Sequence, residues 1–297
     1  MKKPIRLRSS TTTTIATLAL MIPALAGVGG AAGAAPTTGL SIDPVGYRVV
    51  NGNADLSDPL PHDDLTTDVG YSATDSSNGP VLPSPRSVIG PDDRAQVYNT
   101  QLTPYRRSGQ ITFLDSTRTM TGSCTGWLIS PTAVVTAGHC LSDGTAPTVD
   151  IVFAPARNGV GNNPYGTFLA TEVWFDAQYG APGRDWGLIK LDAPAGDSVG
   201  WYGIESVDGV NLVGRQSRII GYPGDKTAGT MWQAVDTIDS RTDRTLSYAT
   251  DTFGGQSGAA ATTDDNDIAD AIHTDGGSTN SGTALTAELF NTLARLR

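Results

Sequence analysis

Ala133-Val134-Val135-Thr136-Ala137-Gly138-His139-Cys140 is a β-branched run that ends on small residues and then a histidine. Such a run reads as a short buried strand, with His139 set just past its end. Similar fragments surround it, including Ile111-Thr112-Phe113-Leu114, Gly126-Trp127-Leu128-Ile129 and Val149-Asp150-Ile151-Val152-Phe153. Further on come Trp186-Gly187-Leu188-Ile189-Lys190-Leu191 and Ser217-Arg218-Ile219-Ile220-Gly221. Many short strands between Gly and Asp/Asn turns, with almost no helical periodicity, indicate an all-β barrel or sandwich. The C-terminus is the exception. Leu285, Leu289, Leu293 and Leu296 recur at helical spacing behind Thr286, which predicts one short helix with Thr286 as its N-cap.

The ends of the chain set the compartment. Lys2, Lys3, Arg6 and Arg8 precede an apolar run from Ile15 to Leu25 and a small-residue stretch. This is the pattern of a secretory signal peptide over residues 1–34, cleaved after Ala32-Gly33-Ala34. The run is short for a bilayer, so no membrane anchor is expected. Two cysteines in an exported chain, Cys124 and Cys140, predict one disulfide. It would close a short loop, worth about 3 kcal/mol by chain entropy, and tie the His139 segment to the preceding strand.

Residues 35–86 are rich in Pro, Asp, Ser, Thr and Gly and read as weakly structured. Lying between a leader and a β-rich body, they are expected to be a pro-segment, with residues 87–297 as the folded domain that it precedes. The stretch Pro83-Ser84-Pro85-Arg86-Ser87 would be the exposed junction. A net charge of −10 without a basic stripe excludes nucleic acid as a natural partner. A monomer is expected.

A serine hydroxyl becomes a useful nucleophile only beside a base whose tautomer is held by a third group. His62 falls in the pro-segment, which leaves His139 and His273. His139 is the candidate base. Asp185, at the head of the alternating Trp186–Leu191 run, is the candidate carboxylate, with Asp176 as runner-up. Gly254-Gly255-Gln256-Ser257-Gly258 supplies the nucleophile, and its glycines permit the sharp turn an oxyanion hole needs. The Gly255 and Ser257 N–H groups are the expected donors. The order His, Asp, Ser and the Ala at 259 exclude the α/β-hydrolase elbow.

Thr136–Cys140, Asp185–Leu191 and Gly254–Gly258 resemble the three active-site signatures of chymotrypsin-fold serine endopeptidases. Ser87–Arg94, Asp251–Gly258 and Ala271-Ile272-His273-Thr274 resemble the bacterial glutamyl endopeptidases in particular. The likeness spans residues 87–297. It implies two six-stranded antiparallel β-barrels with His139, Asp185 and Ser257 in the cleft between them. It also implies His273 and Thr252 as the groups that contact a substrate glutamate, and a Thr274 hydroxyl bonded to Asp185. A carboxylate leaving water needs such charge-assisted donors. Gln256 departs from the digestive relatives, whose aspartate there pairs with a newly formed N-terminal amine, so activation must differ.

The acidic residues are skewed, with 27 Asp against three Glu (Glu172, Glu205 and Glu288) and no Glu in residues 35–86. A glutamate-specific enzyme gains from such a composition. It also could not cut after Arg86, so maturation is assigned to a separate basic-residue-specific protease. Uncharged or narrow specificity with the same triad, and an inactive protease-fold binding protein, are the alternatives. No cofactor is expected. Asp264-Asp265-Asn266-Asp267 lacks the Gly and terminal Glu of an EF-hand loop, and two histidines with a disulfide pair make no zinc site.

Overall fold

The computed structural model describes residues 41–61, 87–144, 146–263 and 267–297. The leader, the Arg86 side of the junction and Asp264–Asn266 lie outside the described residues. In chain order the strands begin with β1 (Pro44–Val50), β2 (Asn53–Pro59) and the short β3 (Ala95–Gln96). Then come β4 (Ser108–Leu114), β5 (Thr121–Leu128), β6 (Ala133–Thr136), β7 (Val149–Pro155), β8 (Phe168–Asp176) and β9 (Gly187–Leu191). A single turn of helix, α1 (Gly196–Val199), and the short β10 (Gly203–Ile204) lead into the second half. It comprises β11 (Gln216–Gly221), β12 (Trp232–Arg241), β13 (Thr245–Tyr248), β14 (Ala260–Thr263), β15 (Ile268–Asp275) and β16 (Asn280–Ala284). Helix α2 (Ala287–Leu296) closes the chain.

Two closed six-stranded antiparallel barrels result, as expected. The first runs β8-β7-β4-β5-β6-β9 and closes through β8–β9; the second runs β15-β14-β11-β12-β13-β16 and closes through β15–β16. Closure removes most of the sheet edges that open β structures must protect. Ile111, Leu128, Val134, Phe153, Val173 and Ile189 fill the first barrel. Ile219, Ile238, Leu246 and Tyr248 fill the second. A third cluster joins Trp127, Trp186 and Leu188 of the first half to Ile272, Leu285, Leu289 and Leu293 of the second. Helix α2 therefore packs on the seam. Thr286 caps it, its hydroxyl accepting from Leu289 N at 3.2 Å. Truncating Leu289 or Leu293, both buried, would cost about 2–5 kcal/mol.

The weakly structured reading of residues 35–86 is corrected over part of its length. Residues 44–59 form a β-hairpin, and β1 adds to β8 in register from Pro44↔Asp176 to Arg48↔Glu172. Its turn places Asn51 at φ 51° and Gly52 at φ 77°, the left-handed pair of a tight hairpin turn. Val45, Tyr47 and Val49 do alternate in β1, but the run is short and its partner strand Asn53–Pro59 is almost wholly polar, so the hairpin does not stand out in a Pro-, Asp- and Ser-rich stretch.

Candidate active site

Register on one sheet assembles the first half of the site. Strands β6 and β9 pair Thr136 with Gly187, so His139 and Asp185 emerge side by side from the same end of the ladder. His139 sits in a one-turn segment, Gly138–Cys140. The imidazole Nδ1 lies 2.6 Å from Asp185 Oδ2, and the His139 backbone N–H donates to Asp185 Oδ1 at 2.9 Å. Both oxygens of one carboxylate thus fix the ring's position and hold Nδ1 as a donor, which leaves Nε2 to accept a proton. Side-chain exposures of 14% and 12% keep the pair largely dry but reachable. Gly138 has no alternative: a Cβ there would lie 2.8 Å from Tyr179 Cβ and 2.9 Å from Trp186 O. The predicted disulfide, Cys124–Cys140, anchors the segment to β5.

Asp176, the runner-up carboxylate, has a different task. It is fully buried and accepts from Arg184 Nε at 3.0 Å, Trp186 Nε1 at 3.3 Å and Gln178 N at 2.8 Å. Burial pushes its carboxyl up, while the Arg184 guanidinium pulls the other way. Through Arg184 and Trp186 it holds both chain neighbours of Asp185. Thr283 Oγ1 adds a bond to Asp185 O at 3.1 Å from the second barrel.

The serine half is built across the seam. Thr125 of β5 donates its N–H to Ser257 O at 2.8 Å and its hydroxyl to Gly255 O at 2.9 Å. The same hydroxyl accepts from Tyr222 N at 3.0 Å. Thr136 Oγ1, three residues before His139, donates to Thr125 O at 2.9 Å. Gly258 fits against that corner, at φ 83°; a Cβ would meet Thr136 Oγ1 at 2.1 Å and Thr125 O at 2.4 Å. Cys140 Sγ is 3.9 Å from Ser257 O, which brings the serine segment against the residue next to His139. Gly255, at φ 100°, turns the chain where a Cβ would lie 2.5 Å from Tyr222 O. Among the described residues, the Gly255 and Ser257 N–H groups enter no internal hydrogen bond. The Gln256 side chain closes the loop on itself, its Oε1 accepting from Phe253 N at 2.9 Å.

His273 and Thr252 are both fully buried beside the serine loop. The His273 carbonyl accepts from Gly258 N at 2.7 Å, and Tyr248 OH lies 2.8 Å from His273 Nδ1. Thr252 N donates to Ser87 O at 3.4 Å. Ser87 is itself gripped by Asn280, whose Nδ2 donates to Ser87 O at 2.7 Å and whose Oδ1 accepts from Ser87 N at 3.2 Å. Asp251 accepts from Ile89 N at 2.6 Å and Asp93 N at 3.1 Å. Sequence reasoning missed Thr125, Tyr248, Asn280 and Asp251 as parts of this site, since each acts across more than 20 residues or from a featureless strand. The Thr274 hydroxyl donates to Asp275 Oδ2 at 3.3 Å, and Thr274 lines the same cavity as Asp185.

A cavity of about 310 Å³ opens beside the dyad, lined by His139, Tyr179, Asp185, Thr274 and Asp275 among others. His273 and Thr252 do not line it. Among the described residues, one group of side chains has the closeness of metal ligands, Cys124, His139 and Cys140. Two of its three ligand atoms are joined in the disulfide, so this donor set does not fit a metal.

Two closed barrels with a His–Asp dyad and a glycine-framed serine at their seam define a chymotrypsin-like serine protease. The trypsin family model matches residues 99–289. A glutamyl endopeptidase of Bacillus licheniformis is 40% identical over 223 residues, covering 70% of this chain and 68% of that protein. An extracellular metalloprotease, so named, of Bacillus subtilis strain 168 is 40% identical over 221 residues, covering 70% of this chain and 69% of that one. A solved structure of a Glu endopeptidase in complex with MPD aligns with TM-score 0.65 and 31% identity. It covers 71% of this chain and 99% of that chain. The chain belongs to the trypsin family of serine proteases, in its bacterial glutamyl endopeptidase branch.

Proposed function

We propose that this protease is exported, is cut after residue 34 and again after Arg86, and cleaves peptide bonds after glutamate, with aspartate a poorer substrate. His139 is the general base, Asp185 holds its tautomer and stabilises the imidazolium, and Ser257 attacks the scissile carbonyl. The Gly255 and Ser257 N–H groups receive the oxyanion; loss of one such donor costs on the order of 3 kcal/mol in the transition state. The acyl-enzyme is then hydrolysed by water activated through His139.

The bidentate His139–Asp185 contact, with the serine loop tied to the same corner through Thr125 and Thr136, carries this reading. For specificity, support comes from the glutamyl endopeptidase relatives and from His273 and Thr252 flanking the serine loop. An imidazolium and a hydroxyl match a carboxylate leaving water. Export is supported by the leader pattern of residues 1–34.

Labelling with an organophosphonate tests the catalytic assignment. The adduct is expected on Ser257 of the mature form, with none after His139→Ala; a fully active enzyme without an adduct on Ser257 contradicts it. N-terminal sequencing of the zymogen incubated alone tests maturation, since rapid self-release of Ser87 would contradict a glutamate-specific enzyme processed by another protease.

A further inference from the structure

We propose that residues 41–61 form a strand-addition clip that stays bound to the catalytic domain, as a separate piece, after the chain is cut ahead of Ser87. The inference rests on the maturation reading above only in needing a break between residues 61 and 87.

The receptor for the clip is the outer edge of β8. Strand β7 pairs with β8 only at Phe168 and Leu169. Strand β1 covers the next stretch, Glu172–Asp176, whose other edge is taken by β9. Without β1, that part of β8 would present unpaired backbone groups to solvent, a template for any passing strand. Added strands bind through main-chain bonds and through alternate side chains set into pockets. Both are present here. Val45, Tyr47 and Val49 alternate along β1 and pack with Ala54 against the first barrel's core. The Tyr47 ring lies 6.2 Å from that of Phe175. Gly46 passes directly under Trp174, where a Cβ would come within 2.3 Å of Cε3.

Contacts at the ends fix the register and reach three parts of the domain. Asp150 N donates to Gly52 O at 2.8 Å, and Arg118 Nη2 donates to Asn53 Oδ1 at 3.0 Å. At the other end, Ala177 N donates to Asp43 O at 2.8 Å and Asp43 N donates to Asp176 Oδ2 at 3.4 Å. Ile42 N donates to Glu288 Oε1 of α2 at 2.5 Å, while Ile42 and Leu60 pack into the seam cluster beside Trp174 and Leu289. The clip thus grips the buried aspartate that holds Arg184 and Trp186, the two neighbours of Asp185.

Composition supports persistence. Residues 35–86 contain no glutamate, so a glutamate-directed enzyme lacks its preferred cleavage site in the segment it would retain. Between Arg48 and Arg94 the one Lys or Arg is Arg86, and Arg48 itself is paired within the ladder. A basic-residue-specific protease therefore opens the connection and leaves the hairpin whole.

The full-length secreted chain, carrying Ser257→Ala to prevent self-digestion, is cut with a basic-residue-specific protease. It is then passed through native gel filtration, with intact masses read on each fraction. The expected result is 1:1 co-elution of a peptide ending at Arg86 with a domain starting at Ser87. Slow hydrogen exchange should persist at residues 172–176. Tyr47→Ala should speed loss of the peptide at least ten-fold. If that variant fails to fold, exchange of an isotopically labelled synthetic 41–61 peptide into the cut wild-type complex gives the same readout. Separate elution of the wild-type peptide, with exchange at 172–176 unaltered by its loss, overturns the proposal. A first residue other than Ser87 overturns the maturation reading alone, since retention of whichever fragment carries 41–61 still decides the clip.

Discussion

The dyad and the serine loop reach the same seam by different means. His139 and Asp185 follow from a single register, Thr136↔Gly187, within one barrel. A strand pair that places two residues side by side also places the residues just beyond it, so the dyad needs little besides β6, β9 and the Cys124 tether. Ser257 belongs to the second barrel and is positioned by the first, through the backbone and hydroxyl of Thr125. One half of the site is a property of a sheet, and the other is a property of an interface. The first should tolerate loosening of the seam; the second should not.

Replacing Asp185 by Asn gives the largest expected effect. Geometry survives, but the tautomer of His139 is reversed, and kcat should fall on the order of 10⁴-fold while the thermal midpoint changes little. Steady-state kinetics beside calorimetry would check this, and a large loss of stability would show that Asp185 is structural first.

Breaking the Asp176–Arg184 pair attacks the dyad's support. Arg184→Met leaves a buried carboxylate without its partner and should cost about 3–5 kcal/mol in denaturant unfolding of the Ser257→Ala chain. The double replacement Asp176→Leu/Arg184→Met should recover part of it. No recovery would mean that the Trp186 and Gln178 bonds to Asp176 matter more than the ion pair.

Thr125→Val tests the interface half. Gly255 O and Tyr222 N each lose a partner, at about 1–3 kcal/mol for a buried group left unsatisfied. Activity should drop while the low-field proton signal of the His139–Asp185 bond stays in place. Movement of that signal would merge the two halves into one unit.

The smallest expected effect is a pH dependence from Asp270, whose carboxyl is pushed up chiefly by burial, against the pull of its bonds to Thr263. Its folded pKa lies above the unfolded value of 3.8. Between the two, the native state keeps a proton that the unfolded chain has released, so stability declines as pH rises through that window. Asp270→Asn should flatten part of the decline in thermal scans, with Asp176 and Asp93, whose carboxyls burial also pushes up, contributing in the same direction; an unchanged slope would place the effect elsewhere.

The sequence made the dyad legible because both residues sit at the ends of strongly patterned strands. The serine loop was legible from its glycines, whose positive φ at 255 and 258 is required by the turn and by contact with Tyr222 and Thr136. Thr125 was not, because a threonine in Ser123-Cys124-Thr125-Gly126 looks like any strand residue until the other barrel arrives. Asn280 and Tyr248 were hidden for the same reason. The hairpin at 44–59 was concealed by composition, yet Asn51-Gly52 was an available signal for a tight turn. Arg184 stood next to the candidate aspartate and drew no reading of its own, since nothing local announces a buried partner eight residues earlier.

Specificity for glutamate is decided most directly at P1. The mature enzyme is assayed on peptides differing only at P1, comparing kcat/KM for Glu, Asp and Gln. Glu is expected well above Asp and at least a hundred-fold above Gln, with most of the Glu–Gln difference lost in His273→Leu. Equal rates for Glu and Gln in the wild-type enzyme would contradict that specificity.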